Sequence, residues 1–304
     1  VKLDHVLLIG FGAPSNPDDV GSYLRHFAET AGIPEERLDS VRGHYEAIGG
    51  ASPYLNQVML FSDHLKKGLQ SAGLKLPVFI GMKNWHPFVR AQVGEIKAKG
   101  FRNGAGIILS PYSSWSGYDA YVNEVGQAVT AAGGGLKYRY PDAWYDHPLW
   151  IEALRGQILK AQHGLSEKEK KGVPLLFCAH SVPQSADATG QYAEQIRFTA
   201  GLVADQLGHS KWGLAYQSRS GSPAEPWLGP GVLEEIRRLK GRGEKSVLLV
   251  PLGFVCDNAE ILYDLDIEAR QEVLKLGMEF RRAGTVMGHP VFVDLFVELI
   301  SMLR

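Results

Sequence analysis

The 304-residue chain holds 32 basic and 33 acidic residues, with 45% hydrophobic and 21% charged positions and a net charge of −1 with histidine neutral. This composition excludes a disordered chain, and the balance of charge provides no whole-protein field to attract nucleic acid or an anionic membrane, so a small partner is expected. The length exceeds the usual single core and predicts two domains of about 150 residues each.

Short β-rich runs bounded by Gly or Pro alternate with longer amphipathic stretches, the pattern of βαβ units around a mainly parallel sheet. The first ten residues contain no long apolar region with a cleavage site, and no apolar run reaches about 18 residues; no transmembrane segment and a cytoplasmic location are therefore expected. The first strand is expected over residues 6–9. It runs into Gly10-Phe11-Gly12-Ala13-Pro14, which lacks the third glycine of a dinucleotide loop and meets Pro14 instead of a helix, so nucleotide binding is not expected. Phe11 at that point serves either as an apolar face for a ligand or as a core side chain. A second strand, 77–82, leads to Lys83, Asn84, Trp85, His86, Pro87 and Phe88. One cation, two aromatics and an imidazole suit a large flat ligand with an anionic edge, although His86 before Pro87 equally suits a capped turn. The third strand, 105–110, enters a segment of hydroxyls and rings that includes Ser113, Ser114, Trp115 and Tyr121. A fourth is expected over 136–140, and the turn-rich stretch 141–148 places a boundary between domains 1–143 and 144–304.

The second half repeats the scheme, with strands expected over 173–179, 211–216 and 246–251 and helices over 186–207, 232–240, 259–276 and 291–303. The mixed-sign run 167–171 reads as a solvated helix end or loop. Cys178 and Cys256, the two cysteines, lie in apolar strand patterns and read as buried reduced thiols, since their neighbours offer neither a zinc nor a disulfide spacing. Ligands of open parallel sheets sit beyond the carboxyl ends of strands, which makes the residues there informative. His180 stands at such an end, compatible with a structural role or with a ligand or general base. The Gly/Pro/Ser loop 216–230 carries Arg219 and a buried-looking Trp227, which is either a ligand wall or the anchor of the loop.

After the strand 246–251 come Asp257, Glu260, Asp264 and Glu268. In a helix starting near Asn258 the last three fall at i, i+4 and i+8 and stack along one face. Like charges so placed repel. The attraction of a helix N-terminus for acids fades after about one turn, so it accounts for Asp257 and Glu260 but leaves Asp264 and Glu268 unexplained. The row predicts a cation path or a proton relay.

In chain order, the strings Tyr45-Glu-Ala-Ile-Gly-Gly-Ala-Ser52-Pro53, Ala179-His180-Ser-Val-Pro183, Tyr216-Gln-Ser-Arg219, Pro226-Trp227-Leu-Gly-Pro230 and Asp257-Asn-Ala-Glu260-Ile-Leu-Tyr-Asp264 span nearly the whole chain. Together they resemble the ferrochelatase family, enzymes that insert ferrous iron into a porphyrin late in heme synthesis. The resemblance implies an α/β fold of two Rossmann-like lobes, parallel sheets flanked by helices around a porphyrin cleft, with the final helix packing back on the first lobe. It implies His180 and Glu260 as the catalytic pair at the metal-insertion face. Asp264 and Glu268 then lead outward from Glu260, and all four stand as candidate metal-binding residues. Candidate substrate-binding residues are Phe11, Ser52, Lys83, Trp85, Ser113, Ser114, Tyr121, Arg219 and Trp227, with Trp115 a further aromatic wall.

Metallation removes two pyrrole protons while Fe²⁺ enters, and an imidazole beside a carboxylate can accept protons or ligate a borderline cation; the sequence leaves open which partner does which. Bending the macrocycle, with the strain drawn from binding elsewhere, would assist. The chain departs from its relatives at several points. Phe11 replaces their tyrosine or methionine, and a phenyl ring cannot ligate iron, so metal delivery from that face is not expected. Asn258 stands where relatives often carry histidine. Ala28-Glu29 stands where some carry an arginine pair for propionates, which leaves Lys83, Arg219 or Ser113 and Ser114 as substitutes. The chain ends at Arg304 without a cysteine-bearing extension, so no iron–sulfur cluster is expected. Fe²⁺ is a substrate, no cofactor is required, and a monomer with scope for peripheral membrane contact is expected. The porphyrin is protoporphyrin IX or coproporphyrin III. Two rival readings are a cobalt chelatase for another tetrapyrrole, whose relatives use paired histidines, and a non-catalytic porphyrin binder, for which a carboxylate ladder has no use.

Overall fold

A computed structural model describes residues 2–31, 38–113, 118–219 and 225–304. The chain divides into two compact units, one of Val1–Pro111, Ser116–Trp144 and Phe292–Arg304, the other of Tyr112–Trp115 and Tyr145–Val291. The assignment of the segment from Tyr112 to the second unit is a departure from a single cut in the sequence.

The first unit runs β1 (His5–Gly10), α1 (Val20–Ala31), α2 (Leu38–Ala47), α3 (Tyr54–Ser71), β2 (Val78–Met82), α4 (Val89–Ala98), β3 (Asn103–Ile108), α5 (Ala120–Ala131) and β4 (Lys137–Arg139). Its strands pair in parallel in the order β2-β1-β3-β4. Because β1 is buried along its length, Val6 to Ile9 form an unbroken apolar run instead of an alternating one. On one face Leu7 and Ile9 meet Val89, Val93 and Ile96 of α4 and Val125 and Ala128 of α5. The spacing i, i+4, i+7 in α4 is the stripe a helix presents to a sheet. A ring cluster of Phe61, Trp144, Phe292 and Phe296 completes this unit; the last two come from the final helix, α11 (Pro290–Met302).

The second unit runs α6 (Pro148–Ala161), α7 (Glu167–Gly172), β5 (Leu175–His180), α8 (Gln191–Gln206), β6 (Trp212–Gln217), α9 (Val232–Gly241), β7 (Ser246–Pro251), a π-helical segment (Ile261–Ala269), α10 (Arg270–Lys275) and β8 (Glu279–Arg282). Its strands also pair in parallel, in the order β6-β5-β7-β8. Both units thus repeat one topology, in which the connections reverse direction between β1 and β3 and again between β5 and β7. Such switch points open a crevice at the carboxyl ends of the two central strands.

The differences from expectation are local. Helix α8 begins at Gln191, not near 186, because Gly190 takes φ 72° and the Asp187 carboxylate accepts the backbone N–H groups of Tyr192 (2.9 Å) and Ala193 (3.1 Å). The exposed run 167–171 is a short helix, started by a reciprocal capping box between Ser166 and Glu169. Strand β4 is shorter than expected. Strand β8, Glu-Phe-Arg-Arg, was not expected at all, since an edge strand with three charged residues lacks the apolar signal of a central one. No helix among the described residues is long and apolar enough to cross a membrane.

Phe296 is fully buried among three other rings, so Phe296→Ala is expected to cost ~3–5 kcal/mol, read as a lowered urea midpoint. A cost below ~1 kcal/mol would show that α11 is an appendage and not part of the first unit's core.

Candidate active site

Strand β5 carries His180 to the crevice between β5 and β7. The exit of β7 passes directly over it. A Cβ on Gly253 would fall 2.9 Å from Cα of Ala179 and 3.1 Å from the backbone nitrogen of His180, so glycine alone lets the two strand exits run together. The backbone N–H groups of Leu252 and Gly253 both reach the Cys178 carbonyl, at 2.8 and 3.1 Å. The Tyr192 hydroxyl donates to the His180 carbonyl at 3.0 Å, and the Phe254 ring stands edge-on to the imidazole.

The imidazole Nδ1 is bonded to the Ser181 carbonyl oxygen. A carbonyl only accepts, so the ring proton sits on Nδ1, and Nε2 is the basic atom of the neutral ring. Nε2 lies 3.6 Å from Oε1 of Glu260, too far for a direct hydrogen bond but within reach of its charge. Both side chains remain accessible, at 30% and 39% exposure. Burial pulls the imidazole pKa down, but the Glu260 carboxylate and the Ser181 carbonyl outweigh it and hold the group above its ordinary value.

The acidic row follows. The Asn258 side chain accepts the Ile261 N–H at 2.8 Å and opens the helix. From Ile261 to Ala269 the backbone is π-helical, not α-helical as expected, and the N–H of Arg270 reaches back five residues to Leu265. Such segments are rare and occur frequently at functional sites. Ile261, Leu265 and Ala269 are wholly buried in a cluster with Ile236 and Leu239 of α9 and Leu249 of β7. Glu260, Asp264 and Glu268 each precede one of them and so border the apolar stripe.

Asp264 is half-buried. Its carboxylate is met by the Ser218 hydroxyl and, at 3.4 Å, by Nε2 of Gln217. Ser218 adopts φ 62° at the end of β6, and among the described residues no other non-glycine residue has a positive φ. Burial raises the Asp264 pKa, the Ser218 hydroxyl and His180 oppose it, and Glu260 and Glu268 add to it, leaving the group at about 7. Glu268, at the exposed outer end, is also raised, by partial desolvation and by Glu272. The row therefore runs from an accessible imidazole–carboxylate pair, through an acid that titrates near neutrality, to solvent.

Among the described residues no group of three or more His, Cys, Asp or Glu side chains is arranged to hold a metal ion. Of the residues expected as candidate metal ligands, His180 and Glu260 stand 3.6 Å apart, and Asp264 and Glu268 follow Glu260 along the π-helical segment.

The other expected residues fall in separate places. Trp227 is half-buried, not buried; it bridges to Pro183, while Leu228 N–H bonds the Val182 carbonyl at 3.0 Å, so this loop lies along the exit of β5. Arg219 is exposed, with Nη2 3.3 Å from the Leu228 carbonyl. Ser113 donates its N–H to Oε1 of Gln195 at 2.7 Å. Ser114 and Trp115 lie outside the described residues. In the first unit Phe11 is 39% exposed after β1, with Phe27 against its ring; Phe27 stacks on Tyr23, and Tyr23 meets Trp85 edge to face. Lys83 Nζ stands 5.9 Å from the centroid of the Tyr121 ring. Ser52 is 2% exposed and its Oγ accepts the Tyr54 N–H at 3.3 Å, a local bond at the start of α3. The sequence reading passed over Gln217, Ser218, Gly253 and Phe254. Ser218 was quoted in a motif, but nothing distinguishes one serine of a Ser/Gly/Pro loop from its neighbours before the backbone is folded.

A family model described as Ferrochelatase matches residues 4–303. The coproporphyrin III ferrochelatase of Mycobacteroides abscessus is 37% identical over 305 residues, covering 98% of this chain and 88% of that protein. The protein of the same name from Nocardia farcinica is 36% identical over 314 residues, covering 99% and 88%. Among solved structures, SirB from Bacillus subtilis with Fe³⁺ aligns at a TM-score of 0.60 and 10% identity, covering 99% of this chain and 95% of that one. A multi-domain Deinococcus radiodurans protein described as structurally similar to chelatases aligns at 0.58 and 14%, covering 99% and 55%. At these identities the two structures establish a shared fold.

The raised Asp264 value fixes the sign of a pH effect. The folded state retains a proton that the unfolded chain loses near pH 4, so stability falls as pH rises from about 4 through about 7. The stability of Asp264→Asn relative to the parent should therefore grow by ~2–3 kcal/mol between pH 5 and pH 8, measured by chemical denaturation at both values. A gain at pH 5 that disappears at pH 8 would contradict this account.

Proposed function

This chain belongs to the ferrochelatase family, and from that premise we propose that it inserts Fe²⁺ into coproporphyrin III, with His180 and Glu260 taking the pyrrole protons. The observation that carries the assignment is Nε2 of His180, left as the basic atom by the bond at Nδ1 and 3.6 Å from Oε1 of Glu260. The choice of porphyrin rests on the relatives named above.

Fe²⁺ displaces two pyrrole N–H protons and keeps its oxidation state, so the reaction needs proton acceptors but no electron carrier, and no cofactor or iron–sulfur cluster is invoked. Nε2 of His180 takes the first proton, Glu260 stabilises the imidazolium that forms, and the Glu260 carboxylate takes the second proton. Asp264 can both accept and release a proton near neutral pH, which favours the row as a proton exit over a cation path, with Glu268 passing the charge to water. Phe11 and Trp85 are proposed to pack on the macrocycle, and Lys83 to hold one of its carboxylates. The phenyl ring of Phe11 offers iron no ligand, so metal delivery is assigned to His180 and Glu260 and not to Phe11.

Anaerobic incubation of the purified protein with Fe²⁺ and either coproporphyrin III or protoporphyrin IX, followed by absorption, is expected to show faster metallation of the former. His180→Ala and Glu260→Gln should each reduce kcat by ~100-fold or more while still quenching porphyrin fluorescence on binding. Near-parental insertion by either variant would remove that residue from the assigned role, and preference for protoporphyrin IX would overturn the substrate.

A further inference from the structure

From Asp257 to Glu268 the chain carries Asp257, Glu260, Asp264, Asp266 and Glu268, and no lysine or arginine before Arg270. A balancing cation comes from another element. Arg282 ends β8 beside Leu249 of β7, and its side chain is 15% exposed. One edge of the guanidinium takes Asp266 in a two-point grip, Nε to Oδ1 at 2.5 Å and Nη2 to Oδ2 at 2.8 Å. The other edge, Nη1, reaches Oδ1 of Asp257 and the Ala283 carbonyl, each at 3.2 Å. Asp257 is supported in turn by the Thr285 hydroxyl at 3.3 Å, and the Thr285 carbonyl accepts Nε2 of Gln157, from α6, at 2.7 Å.

We infer that Arg282 is a positioning residue for metal insertion, a clamp whose two grips bracket Glu260 and Asp264 and hold the π-helical segment in register against His180. Asp257 precedes Glu260 by three positions at the exit of β7, and Asp266 lies between Asp264 and Glu268 on the π-helical segment. Neither clamped acid belongs to the row itself. A planar two-edged cation fixes orientation as well as charge, which a lysine ammonium cannot do. The Asp257 and Asp266 side chains are half-buried, at 26% and 29% exposure, and the Arg282 side chain that joins them is 15% exposed.

The kinetic part of the test rests on the reading proposed above; hydrogen exchange of amides 261–269 does not. Asp266→Asn and Arg282→Lys are expected to speed that exchange at least tenfold and to lower kcat about tenfold with KM for the porphyrin within twofold. A purely structural ion pair would behave differently. Replacing all three charges, Arg282→Met with Asp266→Leu and Asp257→Asn, leaves no carboxylate without its arginine, and the thermal midpoint should recover towards the parent. If kcat and the slow exchange return with it, or if Asp266→Asn leaves both unchanged, the clamp is overturned; recovery of the midpoint without kcat or slow exchange supports it. A wild-type protein that metallates no porphyrin would strike the functional reading alone, and the exchange data would still decide the clamp.

Discussion

Crowding of negative charge at the exit of β7 is the constraint around which the second unit is arranged. Two carboxylates ~6 Å apart repel by about 3 kcal/mol at an effective dielectric constant of about 20, and this segment carries five such groups, three of which border an apolar stripe. Each acid is accommodated differently. Asp257 and Asp266 share Arg282, Glu260 stands beside His180, Asp264 retains a proton near neutrality under the Ser218 hydroxyl, and Glu268 reaches solvent. The differences among these solutions create the chemistry. The acid kept at about 7 by burial can pass protons near neutral pH.

The two sheets have one strand order but present different surfaces at their crevices. After β5 and β7 the chain places an imidazole and carboxylates, with Gly253 bringing the two exits together. After β1 and β2 it places rings and one cation, Phe11, Trp85 and Lys83, backed by Tyr23 and Phe27. A repeated topology thus yields one unit whose strand ends carry an imidazole and carboxylates and one whose strand ends carry rings and a cation. The division lies in a few residues beyond each strand, as expected for a fold that supports many functions.

Much of the architecture was legible because central parallel strands write themselves as unbroken apolar runs. Residues 246–251 were delimited to the residue, and His180 and Glu260 were recognised through their positions after such runs and through motif resemblance. Elements whose stability comes from elsewhere were not legible. Strand β8 is charged and exists because β7 offers it a ladder, and α8 starts late because Gly190 and Asp187 form a turn that periodicity cannot detect. A motif marks the position of Ser52 without stating which way its hydroxyl turns; folded, it bonds the start of α3.

The sequence by itself determined the α/β class, the parallel strands, the strand-end locations of His180, Phe11 and the acids, and the family. These properties are local: they reside in composition, in apolar runs and in short strings that keep their order along the chain. The tertiary structure alone decided that the acidic segment winds as a π-helix, that Ser218 enters the left-handed region with its hydroxyl on Asp264, that Nε2 of His180 is the free nitrogen, and that Arg282 holds Asp257 and Asp266. Each of these depends on groups brought together by strand pairing and helix packing. Ser218 lies 46 residues from Asp264, and Arg282 lies 16 from Asp266 and 25 from Asp257. No period along the chain encodes such a meeting; it exists only once β5, β6, β7 and β8 lie side by side.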